Sequence, residues 1–361
     1  MRVQYLQCVK CRCRYSPGNA PSRCGCGGSI VIHYDWAGLK MSWRRLGRRS
    51  FNHQRYREFY PDLDAPIDLG EGGTPIIGSV DSPGWNFKIE SHNPTGSVKD
   101  RGSAVEISWI KETGANKVVI ASTGNSGASA AAYCARAGLG CEVVLPIHSS
   151  KDRVREIKSH GAKVSTVNGD YSKAVAQAIA SSKKEKVALA GNYTFRREGE
   201  KSVAFELIDQ LRDLEFIVVP VGDGSLISAI WRGCKDLYAA RLSHRMPRLV
   251  GVQAQGCCPI VRAFVTDRPI KRVLPKTSAD SISSGDPIDG DLAILSVQES
   301  QGGMVAVSEE EIAKARSRLA RREGIEVEPA AAAVLAGALK LRIPKTAKTA
   351  FILSGSGAHS V

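Results

Sequence analysis

No run of about 18 apolar residues occurs in the chain, so nothing in it reads as a membrane-spanning helix. The opening MRVQYLQCVK lacks the apolar segment of a secretory signal, and a cytoplasmic protein is expected. Acids are short relative to bases: 36 Asp and Glu against 50 Lys and Arg leave a net charge of +14. The shortage is local. Residues 1–60 hold twelve basic and two acidic side chains, so 12 − 2 = +10 of the excess sits in one sixth of the chain. Such a segment suits an acidic partner, a nucleic acid or a phosphate, and equally a solvated face. Cysteine is not scarce but is unevenly placed. Cys134, Cys141, Cys234, Cys257 and Cys258 lie in apolar or small-residue stretches and read as buried free thiols, not as a disulfide framework.

The 361 residues exceed what one small core needs and suggest two packed α/β domains with an appendage. Three textures follow one another. Residues 1 to about 30 are rich in Cys, Gly and Arg, and residues 36–66 are basic, aromatic and linker-like. From Glu71 onward, short apolar runs alternate with helical stretches. KVVIAS (117–122), CEVVLP (141–146), KVSTV (163–167), VALAG (187–191), EFIVVPVG (215–222), RLVGVQAQ (248–255) and TAFILSGSG (349–357) are the runs. Between them lie ASAAAYCARAG, SSKDRVREIKSHG, DYSKAVAQAIASSKKE, VAFELIDQL and LISAIWRGCKDLYAA. Strands alternating with helices of this length predict parallel βαβ units whose strands are covered on both faces. SEEEIAKARSRLARREG (308–324) predicts a helix opened by a Ser cap, with acids in its first turn and arginines near its end.

Ligands of open parallel sheets bind beyond the carboxyl ends of the strands. Four loops there are rich in small residues: HNPTGSVKDRG (92–102), STGNSGAS (122–129), VGDGSLIS (221–228) and LSGSGAHS (353–360). Glycine-rich turns that open helices present backbone N–H groups to anions, and four of them suggest a ligand with several anionic groups. Lys99 falls in the first turn of a helix. The positive end of the helix dipole disfavours its charged form there and makes a better amine nucleophile. A lysine paired with Asp100 on a solvated face is the competing reading, and spacing alone does not separate the two.

NPTGSVKDRG resembles the Schiff-base lysine motif of the fold-type II pyridoxal-phosphate (PLP) enzymes, and is most similar to the NPTGSFKDRG form of the threonine synthases. STGNSGASAAAYCARAG, PVGDGSLISAIWRG, EGGTP (71–75), REGEKS (197–202), GVQAQG (251–256), EVEPAAAAVLAG (326–337) and the closing LSGSG follow in the family's order. The resemblance implies an α/β fold of two parallel-sheet αβα domains with a small N-terminal zinc ribbon. It divides the chain into a ribbon-like segment 1–35, a basic linker or arm 36–70 and a catalytic region 71–361, with a small domain of about residues 92–212 inserted in a larger one. It assigns Lys99 to the cofactor aldehyde and to proton shuttling, and Asn125 to the ring 3′-oxygen. Gly222, Asp223, Gly224, Ser225 and Leu226 go to the cofactor phosphate, and Ser354 to the ring nitrogen. A hydroxyl at that nitrogen makes a moderate electron sink, suited to elimination and replacement. Ser122, Thr123, Gly124 and Ser126 would hold the substrate carboxylate, and Arg196, with Lys201 nearby, a substrate phosphate.

Cys8-x2-Cys11 and Cys24-x-Cys26 resemble the two knuckles of a zinc ribbon, although the second is one residue short of the usual spacing. Four thiolates around one Zn2+ would order a segment that has little core, and the closed ligand set makes the metal structural. Cys13 is a competing ligand. Threonine synthases often begin with a similar ribbon followed by a segment like QRYREFYP (54–61).

The activity implied is that of a PLP-dependent lyase converting O-phospho-L-homoserine and water into L-threonine and phosphate. The alternatives are a PLP-dependent β-elimination or β-replacement enzyme (a serine/threonine dehydratase, or a cysteine synthase-like enzyme using O-phosphoserine or another activated serine), and a non-catalytic zinc-ribbon protein. The partner expected is a small, phosphorylated amino acid. No membrane partner is expected, and no base-reading helix points to nucleic acid. Dimers are common in the family. Three positions depart from its pattern: Val98 stands before the lysine, Tyr193-Thr194 before Arg196, and Asp223 inside the phosphate turn. An acid in that turn has to point away from the phosphate or serve the ring side.

Overall fold

A computed structural model describes residues 3–17, 21, 23–36, 39–169, 171–191 and 193–356. The far end of the expected closing loop, 357–360, lies outside the described residues.

The chain opens as a three-stranded antiparallel sheet, β1 (Val3–Cys8), β2 (Arg14–Tyr15) and β3 (Ile30–Tyr34), in the order β2-β1-β3. Ile30, Ile32 and Tyr34 alternate inward along β3 and meet Leu6, Cys8 and Phe195 in a thin core. A short helix, α1 (Trp43–Leu46), follows, capped by Ser42. The basic segment after it is docked on the body of the protein. Tyr56, Phe59 and Tyr60 are buried, Phe59 lies 4.9 Å from the ring of Phe205, and Arg55 pairs with Asp209 at the rim (3.0 Å). Its aromatics do the anchoring, while Arg48 and Arg57 stay exposed and Arg49 and Arg55 are held in ion pairs at the rim.

After β4 (Ile76–Gly78), β5 (Trp85–Ile89) and α2 (Lys99–Glu112), the expected alternation begins: β6 (Lys117–Ala121), α3 (Asn125–Ala137), β7 (Gly140–Pro146), α4 (Lys151–Ser159), β8 (Lys163–Val167), α5 (Tyr171–Ser182) and β9 (Val187–Leu189). These four strands form one parallel sheet, β8-β7-β6-β9. Helices α6 (Tyr193–Glu200) and α7 (Ser202–Leu211) lead to β10 (Phe216–Pro220), α8 (Ser225–Ala239), β11 (Arg248–Ala254), α9 (Pro259–Thr266), α10 (Gly290–Glu299), β12 (Gly303–Val307), α11 (Glu309–Arg318), α12 (Pro329–Lys340) and β13 (Thr349–Leu353). The larger sheet runs β12-β11-β10-β13-β5-β4, parallel except for β4 at its edge.

The apolar runs of β10, β11 and β13 are buried on both faces, as central parallel strands require, whereas β8 and β9, at the edges of their sheet, are only partly covered. All five residues of β13 are buried, and Phe351, Ile352 and Leu353 each contribute roughly 1.5–3 kcal/mol. Helix α12 packs close because six of its twelve residues are alanine, and a Cβ on Gly337 would meet Val252 Cγ2 at 2.5 Å. The Ser308 cap of α11 is present as a full capping box with Glu311, and the helix widens into a π turn over 319–323 before Gly324 stops it. All five core cysteines are buried free thiols. Among the described residues no helix is long and apolar enough to cross a membrane.

Candidate active site

Three helices begin at one cleft between the two sheets. Lys99 is the first residue of α2, Asn125 the first of α3, and Ser225 the first of α8, preceded by the Gly222-Asp223-Gly224 turn. Ser354 follows β13. The cleft is lined by Lys99, Ser122, Asn125, Ser126, Tyr171, Arg196, Gly222 to Leu226, Ser281, Glu328 and Ser354.

The loop carrying Lys99 is pinned to the end of β13, where Val98 N–H donates to the Ser354 carbonyl (2.9 Å). Lys99 is not paired with its neighbour. The Asp100 carboxylate accepts from Thr95 N–H (2.6 Å), Thr95 Oγ1 (2.6 Å) and Ser129 Oγ (2.6 Å), on the side away from the cleft. Lys99 Nζ instead lies 3.5 Å from Oε1 of the fully buried Glu200, with its side chain 24% exposed and so reachable from the cleft.

A single carboxyl group links the opposite edges of the cleft. Glu328 Oε2 accepts from Asn125 Nδ2 (3.3 Å) and Ser281 Oγ (2.9 Å), and its Oε1 from Ser354 Oγ (3.3 Å). Burial raises the Glu328 carboxyl above its ordinary range, and the three donors only partly offset this. The motif around Glu328 stands out in the sequence, but this residue was not among the expected site residues, and neither were Glu200, Ser281 and Tyr171. An acid immediately before a helix-opening proline, as in Val327-Glu328-Pro329, is the signal that points to Glu328.

The 222–226 turn has the shape of an anion cradle. Gly224 has φ +92° and a Cβ there would sit 2.6 Å from the Asp289 carbonyl oxygen, so only glycine fits. The first N–H groups of α8 have no partner within the helix and point at the turn. Asp223 stays in the lining, and its carboxylate accepts from Ser284 Oγ (2.5 Å). The acid that looked out of place is thereby held to the wall.

Arg196 reaches the cleft from α6, is 2% exposed, and is held by Glu106 (Nη2 to Oε2, 2.9 Å) and Ser103 (3.2 Å). Lys201 does not join it. Its ammonium is buried between Glu198 and Asp236 (2.9 Å to the latter) and beneath the Tyr34 ring, because a lysine in an apolar interior needs partners of opposite charge. Ser122 spends its hydroxyl on the N–H groups of Gly124 (3.3 Å) and Gly127 (2.9 Å), while lining the cleft together with Ser126. Thr123 is exposed, and neither Thr123 nor Gly124 is among the lining residues.

The Sγ atoms of Cys8, Cys11, Cys24 and Cys26 lie within 4.8 Å of one another, with Cys8–Cys26 and Cys11–Cys24 at 3.5 Å. A tetrahedral zinc with Zn–S of about 2.3 Å needs sulfurs about 3.8 Å apart, so the set fits that metal. The Tyr15 hydroxyl donates to Cys24 Sγ (2.9 Å) and brings this thiol down to about 6, which favours the thiolate a metal requires. Gly28 makes the approach feasible, since a Cβ there would meet Cys8 Sγ at 2.6 Å. Cys13 is exposed, turned toward the Arg14 carbonyl and outside the cluster. The short second knuckle closes through Gly27 at φ +80°, whose N–H donates to the Cys24 carbonyl.

PLP also fits the residues present: one reachable amine, an anion cradle that excludes a Cβ, and hydroxyl and amide groups on facing walls. Residues 67–355 match the family described as "Pyridoxal-phosphate dependent enzyme". The threonine synthase of Methanosarcina acetivorans is 35% identical to this chain, covering 94% of it and 87% of the relative. That of Methanocaldococcus jannaschii is 37% identical, with 93% and 87% covered. Among solved structures, maize serine racemase superposes with a TM-score of 0.69 at 21% identity, over 79% of this chain and 88% of that one. The processed form of threonine deaminase isoform 2 from Solanum lycopersicum does so at 0.68 and 19%, over 79% and 84%, and both show the same fold. The chain belongs to the pyridoxal-phosphate-dependent enzymes of fold type II, on the branch that holds the threonine synthases.

Proposed function

We propose that this PLP-dependent lyase is a threonine synthase, taking O-phospho-L-homoserine and water to L-threonine and phosphate. The observation that carries the reading is Arg196, a buried arginine in the same cleft as Lys99 and the 222–226 turn. With the turn given to the cofactor phosphate, Arg196 supplies a second positive centre for a phosphate on the substrate. The cofactor, when bound, supplies the electron sink that acidifies substrate C–H bonds.

The chain's own residues do the rest. Lys99 Nζ is the point of covalent attachment and afterwards carries the protons moved at substrate carbons, with Glu200 3.5 Å away to orient it. Asn125 serves the ring 3′-oxygen and Ser354 the ring nitrogen. The backbone of Gly222, Asp223, Gly224, Ser225 and Leu226 holds the cofactor phosphate. Ser122 and Ser126 take the substrate carboxylate, with Thr123 and Gly124 contributing backbone groups only. Cys8, Cys11, Cys24 and Cys26 hold one structural zinc.

The test is product analysis with O-phospho-L-homoserine. Threonine and inorganic phosphate in equal amounts are expected. Pyruvate or 2-oxobutyrate formed from serine or threonine, with no phosphate release, would overturn the reading in favour of a β-eliminase. Lys99→Ala is expected to remove both turnover and the visible absorbance of protein-bound cofactor. Metal analysis should find about one zinc per chain, lowered in Cys8→Ser with the cofactor absorbance kept at saturating PLP.

A further inference from the structure

The wall behind the phosphate turn is continuous with the cysteine ribbon. Ile30 opens β3, two residues after the glycine pressed against Cys8. Its backbone carbonyl accepts from two donors on α6, the Thr194 hydroxyl (3.2 Å) and the Arg197 guanidinium. The other arm of Arg197 pairs with the Asp289 carboxylate at 2.6 Å, and both groups are buried. Asp289 reaches the turn through its backbone: its N–H donates to the Asp223 carbonyl (3.0 Å), and its own carbonyl is the atom that crowds Gly224. Ser29 Oγ adds a bond to the adjacent Ile288 carbonyl (3.3 Å), and Lys10 an ion pair with Asp291 (2.6 Å). Consecutive residues of α6 therefore face two ways, Arg196 into the cleft and Arg197 into the joint between ribbon and turn.

The ribbon has too small a core to hold Ile30 in register by apolar burial alone, whereas a four-cysteine metal site would fix it. We propose that Arg197 is a positioning residue through which the metal-bound ribbon holds the 222–226 turn in its phosphate-binding shape, so that zinc and cofactor bind with positive coupling. This rests on the zinc and PLP assignments above. Because coupling between two binding events is reciprocal, each ligand then strengthens the other by the same factor.

The experiment measures the PLP dissociation constant of the full chain, by absorbance titration, before and after zinc is removed by a chelator. Removal is expected to weaken PLP binding about tenfold in the wild type. Arg197→Gln should weaken it by a similar factor with zinc still bound, and chelation should then add little. Arg197→Lys, which keeps the charge on Asp289 but cannot fork to the Ile30 carbonyl, should fall between. If the glutamine variant fails to fold, the converse measurement on the wild type decides: zinc should be retained more tightly against the chelator when PLP is present. Zinc present and removable with no change in PLP affinity overturns the coupling and leaves the zinc reading intact. Protein that never contains or takes up zinc overturns both.

Discussion

The tetrapeptide Arg-Arg-Glu-Gly occurs twice in this chain, at 196–199 and at 321–324, with opposite fates. In the first copy every residue is buried inside α6. Its arginines engage Glu106 and Asp289, its glutamate accepts from the Tyr34 hydroxyl (2.7 Å), and its glycine lies where a Cβ would sit 1.9 Å from the Arg101 carbonyl oxygen. In the second copy the arginines are exposed, Glu323 accepts from Ser79 (2.7 Å), and the glycine ends a helix at φ +69° in open space. The same four letters act in one place as the hub of a buried charge network beside the cleft and in the other as a helix stop. The difference lies in what surrounds them. The first copy is enclosed by acids and the ribbon, while the second follows a capped, solvated helix whose end suits cations.

Parallel substitutions should make the contrast measurable. The largest effect is expected from Arg196→Ala, which strands the Glu106 carboxylate in the interior and should cost about 3–5 kcal/mol in urea unfolding. Arg321→Ala should leave the unfolding midpoint where it was. An equal loss in both would mean that the two copies are not different in kind. Next comes glycine. Gly199→Ala drives a methyl group into the backbone of α2 and should cost about 3 kcal/mol, against about 1 kcal/mol for Gly324→Ala, where only the left-handed backbone objects.

The smallest effect is the pH response of the glutamate in the first copy. Burial alone would raise the Glu198 carboxyl, but Lys201, Arg232 and the Tyr34 hydroxyl outweigh it and hold the group below its usual range. A depressed carboxyl stabilises the folded state above the unfolded value, about 4.3, and that contribution is lost as the pH falls from there toward the folded value. Glu198→Gln should therefore flatten the acid limb of the stability–pH curve. A wild-type slope in Glu198→Gln would remove the charged pairing from the account.

The alternation of strands and helices was legible because β6, β10 and β13 carry unbroken apolar runs, as parallel strands covered on both faces do. β5 escaped for a physical reason. Asn86 and Lys88 interrupt its apolar run, and Lys88 is nevertheless fully buried, on Glu206 at 2.7 Å. Pairing across 118 positions of sequence hid a core strand behind a charge. The site divides in the same way. Lys99, Asn125 and the 222–226 turn announce themselves through glycine and small residues at helix starts. Glu328 and Glu200 are acids whose meaning comes from partners far along the chain. Arg196 was anticipated as a cleft residue and Lys201 as its neighbour, but one turn of helix separates their environments entirely. The ribbon cysteines could be paired off by spacing. The docking of the ribbon on α6, through one carbonyl of Ile30, could not.

The central position of β13 has a consequence for how the protein is made. It lies between β10 and β5, pairing Phe216 with Thr349 on one side and Trp85 with Thr349 on the other. On the ribosome both neighbours emerge long before the strand that joins them, so for most of synthesis the larger sheet is two fragments with raw edges facing a gap. The four-stranded sheet, spanning 117–189, has no such debt to later sequence and can close early. Ser354 arrives with β13, so the final closure of the sheet and the completion of the cofactor cleft are a single event. A nascent chain shorter than that has no finished place to put its cofactor.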